Sequence, residues 1–411
     1  MTSQILAPAM AAHGAGADAP SPAAQPWHLL ATLSALMGFA SISTDVYLPA
    51  MPSIGEALHA DAGRVALTIS GFLIGFSVGQ LFWGAISDKY GRRTPIAIGL
   101  VLFIIGSAGC ALSQSIDAII AWRILQALGA CAGVVLSRAM VRDLYEGPRA
   151  AQMLSTLMAV MAIAPILGPI VGGQIAAAAG WRAVFWALVA VGAVTLMALF
   201  TIPETLSADK RRQDPLLGAF GRYARLLGQA RILGYAGTGA FFYAGLYAYI
   251  AGTPFAFITY HHVPAELYGL LFAAGIFGIV ITNMVNRRVI APLGIDRILP
   301  AATACALLAA LLAAAAAYSG WGGLWGLFIP LLLYVSMSGF IIANSIAGAL
   351  ADYPEQAGAV SALVGAIGYG GGIAGSGLLG AFADGTPWPM GAVIGAMGAG
   401  AMLCAVLAAR R

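Results

Sequence analysis

Long apolar stretches alternate with short polar ones along almost the whole chain. Each stretch is close to the roughly 20 residues that a helix needs to cross the hydrocarbon core of a bilayer. None shows the alternating polarity over about 10 residues that is typical of a β-barrel strand. The pattern therefore predicts an all-α polytopic membrane protein with about twelve spanning helices. The predicted segments are 28–50, 65–87, 94–114, 118–137, 151–177, 183–202, 232–258, 266–286, 298–318, 323–350, 357–383 and 387–409.

The composition agrees with this pattern and excludes a soluble fold. Hydrophobic residues make up 60% of the 411 residues and charged residues only 9%, whereas about 25% of the residues in soluble domains are charged. Residues 298–351 contain no ionised side chain at all. The four cysteines lie within apolar segments and show no spacing typical of a metal site or a disulfide framework.

Basic residues are distributed unequally between the two sides of the predicted membrane. All but three of the 20 lysines and arginines fall on one side, the exceptions being Arg64, Arg123 and Arg182. Because short cytoplasmic loops are rich in Lys and Arg, we expect this side to be cytoplasmic, with both termini inside, in a bacterial inner membrane. The net charge of +4 then reflects topology, and no nucleic-acid partner is expected.

The segments form two sets of six, which predicts four regions. We expect a disordered tail over 1–26, a six-helix bundle over 27–202, a cytoplasmic linker over 203–230 and a second bundle over 231–411. A weak internal repeat supports two related bundles. The second and third segments flank the turn at 84–93, and their predicted counterparts flank Asn286-Arg287-Arg288.

A tight basic turn with the sequence Gly84-Ala-Ile-Ser-Asp88-Lys-Tyr-Gly91-Arg92-Arg93 joins the second and third segments. We expect Gly84 to let two helices approach closely and Gly91 to adopt a backbone conformation that other residues resist. Asp88 could pair with a nearby arginine or face a helix N-terminus. The alternative is a positive-inside loop whose glycines only form the turn.

Asp45 is the one carboxylate that lies well inside an apolar segment. Ser34, Gly38, Ser41 and Asp45 fall at helical spacing, which puts small and polar groups on one helix face, as in a cavity wall. Burial disfavours a charged carboxylate, so Asp45 could bind a proton from one side of the membrane and release it to the other. The alternative is an ordinary aspartate near the outer end of a helix.

Arg123 also lies within a predicted span, in Trp122-Arg123-Ile-Leu-Gln126-Ala-Leu-Gly129. A charged side chain inside a membrane is costly and usually functional. We expect a buried cation that holds backbone carbonyls of the fifth helix and tunes proton binding. In the alternative, the side chain extends to the membrane interface, since it lies only about 8 Å from the start of its helix.

The fifth segment contains Gly168-Pro169-Ile-Val-Gly172-Gly173. Proline bends a helix and glycines allow close packing, so this segment is predicted to pack against the opposite bundle. An ordinary kinked helix is the alternative.

Other polar side chains within the segments are expected either to line a central cavity or to hold helices together. The candidates for the cavity wall are Ser41, Gln80, Gln126, Tyr243, Tyr247 and Asn344.

These motifs resemble those of the major facilitator superfamily, and they occur in the order typical of that family. The 84–93 turn resembles its G-x-x-x-D-[RK]-x-G-R-[RK] loop, and the segment from Arg123 to Gly129 is an imperfect match to R-x-x-Q-G-x-G. Residues 168–173 resemble the G-P-x-x-G-G signature of its proton-driven exporters. The stretch from Thr44 to Pro52 is similar to the T-D-x-Y-L-P-[AS]-[ML]-P signature of the bicyclomycin-resistance-type (Bcr/CflA) drug exporters.

The resemblance implies the major facilitator fold, in which two six-helix bundles surround a central cavity, and it implies roles for the motif residues. Asp45 would carry the proton and compete with substrate, while Arg123 would bias its protonation. The 84–93 turn would latch the two bundles together in the outward-open state, and the fifth-helix signature would keep the exporter from leaking protons. The latch residues are Gly84, Asp88, Gly91, Arg92 and Asp143; the signature residues are Gly168, Pro169, Gly172 and Gly173.

We therefore expect a proton-coupled antiporter that exports small amphiphilic drugs or metabolites by alternating access. It would act as a monomer without cofactor or metal, in contact with membrane lipid. Two alternatives stay open: an uptake symporter with the same fold, which the fifth-helix signature disfavours, and a non-transporting receptor or scaffold, for which no sizeable soluble domain exists. An enzyme is not expected, because the chain shows no nucleophile–base set, metal-ligand cluster or phosphate loop.

Overall fold

A computed structural model of the chain describes residues 27–145, 147–207, 209, 211, 226–351, 353 and 357–409. The predicted tail over 1–26 and most of the predicted linker over 203–230 lie outside the described residues.

Twelve helices in the described residues are long and apolar enough to cross a membrane, so the predicted number of spans is confirmed. They are α1 Trp27–Ala57, α2 Ala62–Tyr90, α3 Arg93–Leu112, α4 Ile116–Leu144, α5 Gly147–Ala179, α6 Trp181–Leu199, α7 Ala230–Tyr260, α8 Ala265–Leu293, α9 Ile295–Ser319, α10 Gly323–Leu350, α11 Ala357–Phe382 and α12 Trp388–Ala409.

Three of these spans are composite. The first, α1, consists of helix Trp27–Asp45, a 3-10 turn over Leu48–Ala50 and helix Met51–Ala57. In α7, helix Ala230–Pro254 continues into a π-helix over Phe255–Tyr260. The span α10 joins helices Gly323–Ser336 and Ser338–Leu350.

Local sequence explains where several helices begin and end. The Asp61 side chain caps α2 by accepting the backbone N–H of Arg64 at 2.9 Å, and Ser115 caps α4 in the same way. Helix α2 ends at Gly91, where φ is +91°, and α8 ends at Gly294, where φ is +74°. Glycine adopts such positive φ values at little cost. The second bundle therefore repeats the turn of the first bundle, and it does so at Gly294.

The position predicted for this repeat is wrong. Asn286, Arg287 and Arg288 lie inside α8, several residues before its end. Arginine side chains near the end of a spanning helix can extend along it to the interface, so basic residues alone do not mark a turn. A glycine with positive φ does.

Close packing within the first bundle depends on small residues. Gly71, Gly75 and Gly79 lie one turn apart on α2 and face α4. A Cβ atom at Gly71 would lie 3.0 Å from the carbonyl oxygen of Ile120, and one at Gly79 would lie 2.8 Å from Cβ of Cys131. Such residues let two helix backbones approach each other. In the second bundle, α7 packs against α11 and α12, and α9 packs against α12.

The two bundles meet along α2 with α11 and along α5 with α8. Between α2 and α11, Gly63 faces Gly380, and Ser70 Oγ lies 2.8 Å from Ser376 Oγ. We call the end of the molecule where α2 and α8 begin the far end. These contacts close the far end of the molecule.

We call the opposite end the basic end, because Arg92, Arg93 and Arg288 lie there. The side chain of Gln80 still lies 3.8 Å from a Cβ position at Gly365, but a Cβ at Gly84, one turn further, would meet no atom within 4 Å. The fold is thus two six-helix bundles that touch at the far end and the centre, with open space beside Gly84 at the basic end among the described residues.

Candidate functional site

A cavity of about 200 Å³ lies between the two bundles at the centre of the molecule. Helices α1, α2 and α5 form one wall, and α7, α8, α10 and α11 form the other. The lining residues are Ala40, Ser41, Thr44, Asp45, Phe72, Leu73, Phe76, Met161, Pro165, Leu246, Tyr247, Tyr249, Ile250, Phe272, Ile276, Ile279, Val335 and Tyr369.

Asp45 lies in this wall at the point where α1 changes from an α-helix to a 3-10 turn. Pro49 follows four residues later and has no N–H to donate to the Asp45 carbonyl, which explains the change locally. The residue is only 6% exposed. Its carboxylate forms no hydrogen bond or ion pair with any residue that the structure describes. A buried carboxylate without a partner is costly in its charged form.

The glycines of the 168–173 segment place α5 directly against α1. A Cβ atom at Gly168 would lie 2.8 Å from Cβ of Asp45, and one at Gly172 would collide with the carbonyl oxygen of Val46. On another face of α5, a Cβ at Gly173 would lie 2.6 Å from the carbonyl oxygen of Ala265, which belongs to the second bundle. Pro169 is buried between these contacts. This short segment therefore touches both the Asp45 region and the interface between the bundles.

Arg123 is fully buried between two aromatic rings behind α1. The centre of its guanidinium lies 4.6 Å from the Tyr47 ring centroid and 4.4 Å from that of Phe72. Its Nη1 donates to the carbonyl of Ser43 at 2.9 Å and to Gln126 Oε1 at 2.7 Å. Its Nε and Nη2 have no hydrogen-bond partner among the described residues. Arg123 therefore does not extend to the interface, and its carbonyl partner lies on α1 rather than on the fifth helix.

Arg123 and the Asp45 side chain lie on opposite sides of α1. Arg123 contacts Ser43 and Tyr47 of α1. Asp45 follows Ser43 by two residues at the end of the α-helix, which places it about 200° around the helix from Ser43. The structure forms no ion pair between the two side chains. Any effect of the guanidinium on the carboxylate must act through space across α1.

Gln126 does not line the cavity. Its Oε1 accepts from Arg123, and its Nε2 donates to Ser107 Oγ at 2.7 Å. Asn344 is also fully buried away from the cavity, where its Nδ2 donates to Asn286 Oδ1 at 2.9 Å. Gln80 lies at the contact between α2 and α11, outside the lining set. Gln126 and Asn344 thus connect helices within their own bundles.

Two of the predicted cavity residues, Ser41 and Tyr247, do line the cavity, and Tyr243 lies just behind the wall. The Tyr243 ring stacks on Tyr247 at 6.0 Å and approaches Tyr369 at 5.9 Å. The Tyr369 ring in turn lies 5.1 Å from Phe76 on α2. An aromatic cluster thus crosses from one bundle to the other beside Asp45.

At the basic end, Arg92 is the centre of an ion-pair cluster within the first bundle. Its Nη1 donates to Asp88 Oδ1 at 2.6 Å and to Ser87 Oγ at 2.7 Å, while its Nε donates to Asp143 Oδ2 at 2.8 Å. Thr205 Oγ1 also donates to Asp143. The structure brings Asp88, Arg92 and Asp143 together, but their described partners belong to the first bundle or to the chain that leaves α6, and none belongs to the second bundle. A Cβ at Gly84 would meet no described atom within 4 Å.

Glu204 completes this cluster, and the sequence patterns do not identify it. Its Oε1 accepts the backbone N–H of Arg92 at 2.8 Å, and its Oε2 accepts that of Arg93 at 3.1 Å. Burial raises the pKa of Glu204, but the backbone N–H groups of Arg92, Leu206, Arg93 and Thr205 lower it more strongly, so its pKa lies below the ordinary value. The carboxylate holds the N-terminus of α3 to the chain that leaves α6.

Comparisons with known proteins agree with this architecture. A family model described as Major Facilitator Superfamily matches residues 33–376. The chain is 32% identical over 342 residues to the uncharacterized MFS-type transporter YdgK of Bacillus subtilis, with 82% of this chain and 85% of that protein covered. It is 28% identical over 337 residues to the bicyclomycin resistance protein homolog of Haemophilus influenzae, with coverage of 82% and 84%. The solved structure of the nucleoside transporter NupG has a TM-score of 0.74 at 13% identity over 92% of this chain and 97% of that chain, which shows a shared fold.

Proposed function

The chain belongs to the Major Facilitator Superfamily, and we propose that it is a proton-coupled antiporter that exports small amphiphilic molecules by alternating access. It is a multi-pass, efflux-type transporter of the bacterial inner membrane, since it has twelve spans and drug-resistance proteins among its relatives. In the proposal, the basic end faces the cytoplasm, as the distribution of Lys and Arg predicts. The cavity between the bundles would then load from inside.

The observation that carries the proposal is the position of Asp45. It is a buried carboxylate without a hydrogen bond or ion pair to any described residue, in the wall of a cavity to which both bundles contribute. Because a lone buried charge is unfavourable, this side chain either takes up a proton or accepts a polar group of the cargo. Where the cargo binds the charged form of the carboxylate, binding and protonation compete, which is the requirement for exchange.

The fifth helix supports coupling between that exchange and movement of the bundles. Gly168 and Gly172 leave no space between α5 and the Asp45–Val46 segment, and Gly173 rests on α8. A small shift of α1 on loading of Asp45 would therefore be transmitted to the contact between the bundles. In this scheme Arg123 braces α1 through Ser43 and supplies a fixed positive charge behind it, which disfavours protonation of nearby groups.

The basic-end cluster is proposed to act as the latch when the bundles close there. Arg92, Asp88 and Asp143 are already ordered by one another and by Glu204. The empty space at Gly84 is where a helix of the second bundle would pack on closure. One proton that moves down 100 mV releases about 2.3 kcal/mol, and since 1.4 kcal/mol is a factor of ten, this supports roughly a fiftyfold gradient of cargo.

Asp45→Asn tests the exchange directly. Wild-type protein and the variant are expressed in a host stripped of its own drug pumps, and everted vesicles are energised with a proton gradient. Addition of a transported drug should release protons from wild-type vesicles and not from Asp45→Asn vesicles. Asp117→Asn, which removes an exposed acid paired with Arg64 at the far end, is the matched control and should behave as wild type. Drug-induced proton release at the wild-type rate in Asp45→Asn would exclude Asp45 from coupling.

The direction of transport is tested in the same host. Growth inhibition across drug classes, with bicyclomycin included because it occurs in the name of a relative, should show raised resistance in cells that express the protein. Raised sensitivity, together with faster accumulation of the same compound, would instead favour an uptake symporter.

A further inference from the structure

Large aromatic side chains cluster at the far end of the second bundle, where a short connection joins α9 to α10. Tyr318 and Trp321 are 76% and 74% exposed, and Trp325 in the first turn of α10 is 59% exposed. The Tyr318 ring meets the ring of Trp388 on α12 at 5.1 Å. We call these four residues the aromatic tip. Exposed apolar surface of this kind marks a site of interaction with a membrane or with another molecule.

The aromatic tip has little charge nearby to hold it in water. Residues 298–351, which include the connection, nearly all of α9 and the whole of α10, contain no Asp, Glu, Lys, Arg or His. At the far end of the first bundle, by contrast, Arg64 pairs with Asp117, and these side chains are 46% and 72% exposed. Asp384 is exposed four residues before Trp388. Because a carboxylate is costly at the bilayer centre, Asp384 limits the aromatic tip to the edge of the bilayer.

The backbone of the connection satisfies several of its own polar groups. The N–H of Gly320 donates to the Ala316 carbonyl at 2.9 Å, and the N–H of Gly323 donates to the Gly320 carbonyl at 3.2 Å. The Trp321 N–H donates to Ser319 Oγ at 3.2 Å. Gly320 allows this tight turn with a φ of +69°. N–H groups that are bonded within the chain do not need water, so such a turn can lie where water is scarce.

The length of α9 places the aromatic tip at the edge of the hydrocarbon core. Arg297 lies in the first turn of α9, and Tyr318 lies in its last turn, 21 residues later. At 1.5 Å per residue they are about 32 Å apart along the helix, close to the roughly 30 Å thickness of the core. An arginine at one boundary therefore puts Tyr318 at the other, where Tyr and Trp are enriched. Leu308, Leu311 and Leu312 are exposed between them, so the aromatic tip continues the lipid-facing surface of a spanning helix.

We propose that the aromatic tip is an interfacial anchor, which inserts between phospholipid headgroups and holds the far ends of α9, α10 and α12 at one depth in the bilayer. Its partner is the glycerol and carbonyl layer of the leaflet at the far end. There each ring buries its apolar body, while an indole N–H or a phenol O–H can still donate a hydrogen bond. The anchor does not depend on the proposed antiport, so it can fail while the proposed function stands.

Paramagnetic broadening in lipid nanodiscs tests this position. The whole chain, which has eight tryptophans, is labelled with fluorotryptophan, and the fluorine signal of Trp321 is assigned by its loss in Trp321→Phe. This variant keeps an aromatic ring at an exposed site and should fold, which gel filtration checks. Three relaxation agents are compared: a nitroxide on the lipid chain just below the headgroup, a nitroxide near the end of the chain, and a gadolinium chelate in water.

The shallow nitroxide should broaden the Trp321 signal several-fold more than either the deep nitroxide or the chelate does. Trp83 is the control, because it is 6% exposed and donates to the Leu128 carbonyl at 2.8 Å; its signal should broaden least. Stronger broadening of Trp321 by the chelate than by the shallow nitroxide would place the aromatic tip in water and overturn the proposal. Broadening no greater than that of Trp83 with all three agents would show that protein, such as a second copy of this chain, covers the aromatic tip, and would overturn it as well.

Discussion

The turn at Gly91 offers a prediction whose magnitude follows from the geometry. Gly91 has φ +91° and ψ 173°, a region that is essentially restricted to glycine and costs other residues about 1–3 kcal/mol. A Cβ there would also lie 2.6 Å from Glu204 Oε2, the atom that accepts the Arg93 N–H. Loss of one hydrogen bond to a charged group costs about 1.5–3 kcal/mol. Gly91→Ala should therefore destabilise the protein twice, through the strained backbone and through the weakened hydrogen bond to Glu204.

Two further glycines allow these two effects to be separated. Gly294 has almost the same backbone conformation, with φ 74° and ψ 160°, but a Cβ there would meet nothing within 4 Å in the part of the chain that the structure describes. Gly294→Ala should thus show the backbone cost alone, and Gly91→Ala should exceed it by about 1.5–3 kcal/mol. Gly84→Ala lies inside α2 in open space and should gain about 0.5–1 kcal/mol, because alanine favours helix over glycine.

Unfolding in mixed detergent and SDS micelles measures these differences. The thiols of Cys110 and Cys131 are buried, so a thiol-reactive dye reports their exposure on unfolding. Cys305 lies on the outer surface of α9 and is replaced by alanine in all variants. Equal destabilisation by Gly91→Ala and Gly294→Ala would refute the role given to the Glu204 contact. Destabilisation by Gly84→Ala would refute the open space at the basic end.

Three other predictions concern the basic end, the fifth helix and the far end. Burial raises the pKa of Glu204, but its backbone N–H partners lower it more strongly. Its stabilising effect is therefore complete above the ordinary pKa of 4.5 and is lost as pH falls through the lowered value. Glu204→Gln should lower the unfolding midpoint at neutral pH, and the difference from wild type should disappear in acid. Gly172→Ala should cost about 1–3 kcal/mol by overpacking α5 against α1 and should abolish drug-induced proton release, whereas Gly377→Ala, which meets no atom within 4 Å, should be tolerated in both assays. Ser70→Cys with Ser376→Cys should form a disulfide across the bundles, because the two hydroxyls lie 2.8 Å apart; transport should stop under oxidation and return with dithiothreitol, and loss of activity in either single variant on oxidation would contradict this.

The number of spans could be predicted because apolar length is a property of the chain alone. The repeat of the basic turn could not, because the arginines after Asn286 suggested a loop that the helix does not form. The ordinary glycine at 294 carries the turn instead. Charge marks the side of the membrane on which a residue lies, and backbone conformation decides where the helix ends.

The positions of the candidate-site residues could also be predicted only in part. A polar side chain in a membrane helix needs a partner, but the sequence does not show whether that partner is another side chain or a cargo. Gln126 and Asn344 find theirs within a bundle, whereas Ser41 and Tyr247 face the cavity. Glu204 could not be predicted from a local pattern, since the N–H group that it binds at Arg92 lies 112 residues earlier in the chain.

The ring pair of Phe76 and Tyr369, 5.1 Å apart on opposite halves of the molecule, has a consequence for pharmacology. A compound bound beside these two rings would contact both bundles at once. It would then either be transported or keep the two bundles in one relative position. Blockers of this pump can therefore be sought among molecules that resemble its cargo at one end and are too rigid or too long at the other to let the rings slide past each other.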